Sequence, residues 1–135
     1  MKYSRITKYK YRLEEAEIFH TRILGRTIEH KYFLLSSDGR LVVREGYLWD
    51  GVSGPTYDSK NTMRPGLGHD AKYHMIRLML IPLDMKPLAD KEFKQDLLSA
   101  GVVKFRAAYY YQAVKLFGAS SCVPGNTKTT IIMEC

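Results

Sequence analysis

Cysteine is almost absent from this chain: Cys122 and Cys135 are the only two among 135 residues, at no metal-ligand or redox spacing. A disulfide framework is thereby excluded, and the composition suits a protein that matures in a reducing cytoplasm. Long apolar runs are missing as well. No stretch nears the roughly 20 residues that cross a bilayer, so no transmembrane segment is expected, and the opening MKYSRITKYKYRLEE lacks the apolar block of a signal peptide. Internal repeats and low-complexity tracts are absent too. Lys2, Arg5, Lys8, Lys10 and Arg12 make the N-terminus basic, but no helix-turn-helix, zinc-finger or RNA-binding signature accompanies them, and they read as a solvated basic face.

What remains is the composition of an ordinary soluble domain. Hydrophobic residues make up 45% and charged residues 26%, which excludes disorder, collagen and a multi-span membrane protein. A chain of 135 residues buries one core, so a single domain over 1–135 is expected. The net charge of +7 permits attraction to nucleic acid, anionic lipid or an acidic protein without choosing among them.

The pattern along the chain predicts an α+β fold. Residues 1–48 read as mainly β, with Tyr3 to about Arg26 poorly determined. His30–Ser36 and Arg40–Leu48 are β-branched or aromatic runs separated by Ser37-Asp38-Gly39, a hairpin signal. Residues 49–65 read as a loop, punctuated by Gly51, Gly54, Pro55, Asp58, Asn61 and Pro65. Its length and its Trp49, Tyr57 and Met63 argue for an ordered, functional segment. Helices are predicted over Gly66–Leu80, Pro87–Ala100 and Val102–Phe117, with Pro at a first turn and glycines closing the last two. The short Ile81–Asp84 turn makes the first two antiparallel. The tail from Ala119 is small and polar until Thr129–Met133, a candidate edge strand.

His69 and Asp70 fall in the first turn of the first predicted helix, with Tyr73 one turn on along the same face. Asp90 lies in the first turns of the second. An antiparallel pair sets the start of one helix beside the end of the next, so His69 meets Asp90 only if the helices are offset. Should they meet, the carboxylate would hold the imidazole in one tautomer and let its other nitrogen take a proton from water. Asp70, with Asp50 and loop carbonyls, suits a hard cation such as calcium, which would polarise an ester carbonyl. Taken alone, a His-Asp pair at a helix start is more often a charge and capping feature, and Tyr73 and Trp49 are more often core aromatics. His20, His30 and His74 read as structural or exposed. A metal phosphohydrolase using His30, His69, Asp70 and Asp90 is a lesser alternative, since it needs more helices and His30 falls on a predicted strand.

WDGVSGP, HDAKYHM, ADKEFKQDLL and YYQAVKLFG follow in order between about Arg44 and Gly118. They resemble an uncharacterised family of small tailed-phage and prophage proteins with HDxLY and AD-x-x-F helices. The same blocks are similar to the secreted bacterial phospholipases A2, with their calcium loop, HDxxY helix, Asp-x-x-Phe helix and YYxAVKxFG end. The resemblance implies a phospholipase A2-like core. In it His69 is the general base, Asp90 its orienting partner and Tyr73 a support for Asp90, while Asp50, Asp70 and the Gly51 carbonyl hold calcium. It implies hydrolysis of a phospholipid ester at an anionic membrane by a protein made in the host cytoplasm or carried in the virion. The alternative is a non-enzymatic virion, tail or host-interaction protein on the same scaffold. This chain has no counterparts of the secreted enzymes' disulfide cysteines, and glycine replaces leucine after the loop aspartate.

Overall fold

A computed structural model describes residues 1–7, 10–50 and 60–123. Among these residues the chain is α+β: short antiparallel strands come first and three helices follow. The strands are β1 (Tyr3–Thr7), β2 (Lys10–Leu13), β3 (Glu17–His20), β4 (Ile28–Glu29), β5 (Phe33–Leu35), β6 (Arg40–Val43) and β7 (Leu48–Trp49). They form a three-stranded sheet ordered β1-β2-β7 and a four-stranded sheet ordered β3-β6-β5-β4.

The expected hairpin is β5–β6, with Phe33 opposite Val43 and Leu35 opposite Leu41. Alternation decides which face is buried: Phe33, Leu35, Leu41 and Val43 point inward, while Leu34 and Val42 between them are partly exposed. The second run does not continue as one strand to Leu48. It breaks at Arg44–Tyr47, where the Tyr47 N–H returns to the Arg44 carbonyl (3.3 Å), and resumes as β7 in the other sheet.

The helices are α1 (Lys60–Arg77), α2 (Lys86–Ser99) and α3 (Lys104–Phe117). Helix α1 begins six residues before the predicted start and runs through Pro65. Proline there forgoes one backbone hydrogen bond, and burial of Thr62, Met63 and Leu67 holds the first turns in place. Residues 60–65, expected as loop, are therefore helical. Residues 119–122, expected as the start of a polar tail, form a 3-10 turn against α1 with Cys122 fully buried. The candidate strand Thr129–Met133 and the loop residue Tyr57 lie outside the described residues.

Nearly every residue of α1 from Thr62 to Arg77 is buried. Leu67, Ala71, Met75 and Ile76 pack with Phe19, Phe33, Leu41 and Val43 of the strands in one core. A second cluster, Phe93, Leu97, Val102, Ala107 and Tyr110, joins α2 to α3. Residues of α1 and α2 meet in reverse order, Tyr73 against Asp90 and His69 against Phe93, which makes the pair antiparallel.

The connections close with the same device twice. After α2, the Val102 N–H returns to Leu97 O (3.0 Å) and the Gly101 N–H to Leu98 O (3.1 Å), with Gly101 at φ +93°. After α1, the Leu80 N–H returns to Met75 O and the Met79 N–H to Ile76 O, both at 2.9 Å, but the left-handed residue is Met79 at φ 59°. An L side chain in that conformation costs roughly 1–2 kcal/mol, and Met79, 75% exposed, regains little of it by packing. Met79→Gly should therefore raise stability by about 1 kcal/mol, read as an increased urea midpoint at unchanged m-value.

His74 lies between α1 and the strands, its ring 5.4 Å from Phe33 and its Nδ1 hydrogen-bonded with the Tyr47 hydroxyl at 3.3 Å. Burial lowers its pKa to about 3, so the unfolded chain takes up a proton that the folded one refuses. The resulting stability is complete above the ordinary histidine pKa of about 6.5 and is lost as pH falls from there toward 3. Urea unfolding should show a loss of about 2 kcal/mol between about pH 7 and pH 5, with a shallower slope in His74→Phe, which has nothing to titrate.

Candidate functional site

The antiparallel α1–α2 pair and the end of α3 enclose one carboxylate. Tyr73 stands four residues before the end of α1 and Asp90 four residues after the start of α2, so they are level, and His69 is one turn back toward the start of α1. His69 Nε2 donates to Asp90 Oδ1 at 2.8 Å, and the Tyr73 hydroxyl donates to the same oxygen. No helix offset is required. The sequence reading put His69 in a first turn, whereas it is the tenth residue of α1. For the same reason the capping account of His69 and Asp70 does not apply.

The other oxygen, Oδ2, accepts from the Lys86 ammonium at 2.7 Å, and Lys86 also donates to the Val114 carbonyl of α3 at 3.2 Å. Asp90 is 2% exposed. Burial pushes its pKa up, but the hydrogen bonds from His69, Lys86 and Tyr73 together outweigh that and hold it below the ordinary carboxylate value. Burial lowers the pKa of His69, against the opposing pull of Asp90, so the imidazole is neutral near pH 7. With Nε2–H donating to the carboxylate, the lone pair is on Nδ1. Burial, then the bond to Asp90, raises the Tyr73 pKa and keeps its hydroxyl protonated.

Packing fixes these side chains. The His69 ring stacks on Phe93 with centroids 4.6 Å apart and leans on Tyr73 at 4.0 Å. Behind Tyr73, the chain leaves α3 through Gly118, where a Cβ would come within 2.4 Å of the Tyr73 hydroxyl. Any larger residue would push Tyr73 off the carboxylate.

The expected metal ligands are placed less fully. Asp50 ends the described part of its segment and is ion-paired with the Lys10 ammonium. Asp70 is partly buried on α1, and both Asp70 and Asp50 contribute to raising the Tyr47 pKa, behind the larger effect of burial. Gly51 lies outside the described residues. Among the described residues, no group of three or more His, Cys, Asp or Glu side chains is placed to hold a metal ion. His30 is engaged with the strands, stacked 5.3 Å from Phe33 and accepting the Tyr32 N–H at Nδ1.

Two members of the cluster were missed by sequence reasoning. Lys86 carried a usable signal, since it lies four residues before Asp90 on one helix, the spacing of an intrahelical ion pair. The Val114 carbonyl carried none, because a backbone acceptor has no side-chain signature. Comparison with protein families, curated proteins and solved structures yields no match for this chain. No helix among the described residues is long and apolar enough to cross a membrane.

Lys86 lowers the basicity of His69 through its charge. Lys86→Met should therefore raise the His69 pKa, followed through the imidazole proton resonances. It should also cost about 2 kcal/mol of stability by leaving Asp90 short of a donor.

Proposed function

We propose that this chain is a tailed-phage or prophage protein on a phospholipase A2-like scaffold that hydrolyses a phospholipid ester. The observation that carries the reading is the buried hydrogen bond from His69 to an ionised Asp90, supported by Tyr73. A water molecule gives its proton to His69 Nδ1 while its oxygen attacks the ester carbonyl carbon. Asp90 stabilises the imidazolium so formed. On collapse the acyl C–O bond breaks and the Nδ1 proton passes to the leaving alkoxide, yielding a fatty acid and a lysophospholipid.

Asp50 and Asp70, with the Gly51 carbonyl, would supply the hard oxygen donors that suit calcium, in competition with the Lys10 ammonium for Asp50. Bound there, calcium would stabilise negative charge on the ester oxygen.

A second reading, a non-enzymatic virion or host-interaction protein, is favoured by Lys86. Its ammonium already neutralises Asp90, which weakens the carboxylate's support of an imidazolium. His69 is also only 5% exposed.

Phospholipid vesicles with and without calcium separate the two. Hydrolysis predicts calcium-dependent fatty-acid release that falls at least about 100-fold in His69→Ala and Asp90→Asn. Full turnover by His69→Ala overturns the proposed mechanism. No turnover by the unaltered chain under any metal condition, with recovery of the protein in purified virions, establishes the second reading.

A further inference from the structure

Helix α3 buries one face and carries exposed aromatic and aliphatic side chains on the opposite one, with the exposed Gln112 between Tyr109 and Leu116. At about 100° per residue, the buried Ala107 and Tyr110 and partly buried Val114 share the inner side, while Phe105, Tyr109 and Leu116 line up outside. Phe105 is 76% exposed, Leu116 68% and Tyr109 50%, and Val103 just before the helix is 53% exposed. Scattered exposed apolar residues are ordinary, but several aligned on one helix face mark an interaction surface.

The charge beside the stripe selects the occupant. The same rotation puts Lys104 and Lys115 on one flank, where Lys115 and Lys94 of α2 both sit over the Tyr111 ring, at 5.5 and 5.4 Å. Arg106, on the other flank, is partly buried and donates to the Tyr110 hydroxyl at 2.6 Å, and α3 carries no acidic residue. Two copies meeting through this face would bring like charges together in a chain of net charge +7. An anionic bilayer offers the complement: phosphates for the lysines, and a headgroup boundary in which aromatic and aliphatic side chains settle.

We infer that the outward face of α3 docks on anionic lipid, inserting Phe105, Tyr109 and Leu116 beside the flanking Lys104 and Lys115. This deepens the lipid reading above and rests on it for its purpose, yet binding alone tests it, because none of these residues belongs to the His69–Asp90 cluster. The His69→Ala protein, which turns nothing over under that reading, is sedimented with vesicles of phosphatidylcholine alone or mixed with phosphatidylglycerol. Retention on the anionic vesicles should exceed that on the neutral ones at least about tenfold and fall with added salt. Phe105→Ser with Leu116→Ser should weaken it by about tenfold or more, and Lys104→Gln with Lys115→Gln by about fivefold per lysine. All four side chains are on the surface, and circular dichroism checks that each variant folds. Failure to sediment with anionic vesicles overturns the inference, as does equal retention of both variants and the parent. Self-association dispersed by the Phe105 and Leu116 changes, without lipid binding, assigns the face to a second copy instead. Vesicle binding by a protein that never hydrolyses lipid leaves the docking surface standing and removes only the enzymatic reading.

Discussion

Asp90 is a carboxylate taken out of water, and the packing of all three helices follows from how its charge is met. An isolated buried carboxylate costs several kcal/mol. Here His69 and Tyr73 from α1 share Oδ1, and Lys86 from α2 takes Oδ2. Lys86 spends a further proton on the Val114 carbonyl, which brings α3 into the same network. Shifting any one helix leaves a buried charge or donor unmet, so the three are held in a single register by polar groups as much as by apolar contact.

The central position of α1 repeats the problem around its circumference, and each solution ties a different neighbour. Lys72 pairs with Glu92 of α2 at 2.9 Å, and Glu92 also accepts the Arg22 N–H at 2.9 Å from the chain after β3. His74 meets Tyr47 in the turn before β7, and Arg77 donates to the Ser121 carbonyl at 2.6 Å. Buried polar side chains that must each find a partner specify one arrangement where apolar packing alone tolerates several. His74 solves its case by staying neutral, and Arg77, which cannot lose its proton, reaches backbone through Nη1 while its Nε stays buried without a hydrogen bond among the described residues.

Much of this was legible in the residues, and the rest was hidden for physical reasons. The β5–β6 hairpin, the existence of three helices and the antiparallel first pair follow from alternation, Asp-Gly punctuation and short connections. The start of α1 was misplaced because Pro65 reads as a boundary, whereas tertiary burial of Met63 and Leu67 carries the helix through it. That one error turned His69 from a mid-helix group into an apparent cap and created an offset that the helices do not need. The division of residues 40–48 between two sheets depends on long-range pairing with β2 and β3, which local pattern does not encode. In the site, the shared face of His69 and Tyr73 was visible by helical spacing, whereas the meeting of His69 with Asp90 was implied only by the resemblance. Lys86 was visible in principle through its i, i+4 spacing to Asp90.

Lys86 is also what separates geometry from chemistry in this cluster. A His–Asp pair works as a base when the carboxylate is free to stabilise the imidazolium, and a second cation on the same carboxylate draws on that stabilisation. Two donors on Oδ1 and one on Oδ2 make Asp90 a well-anchored orienting group but a weaker electrostatic partner than a carboxylate bound to histidine and tyrosine alone. The neutral His69 ring remains directed by Nε2, with Phe93 fixing its plane. The cluster therefore favours precise placement of His69 over high basicity. That balance suits a base acting on water already polarised by another group, and suits equally a scaffold in which the same bonds serve only to lock the helices.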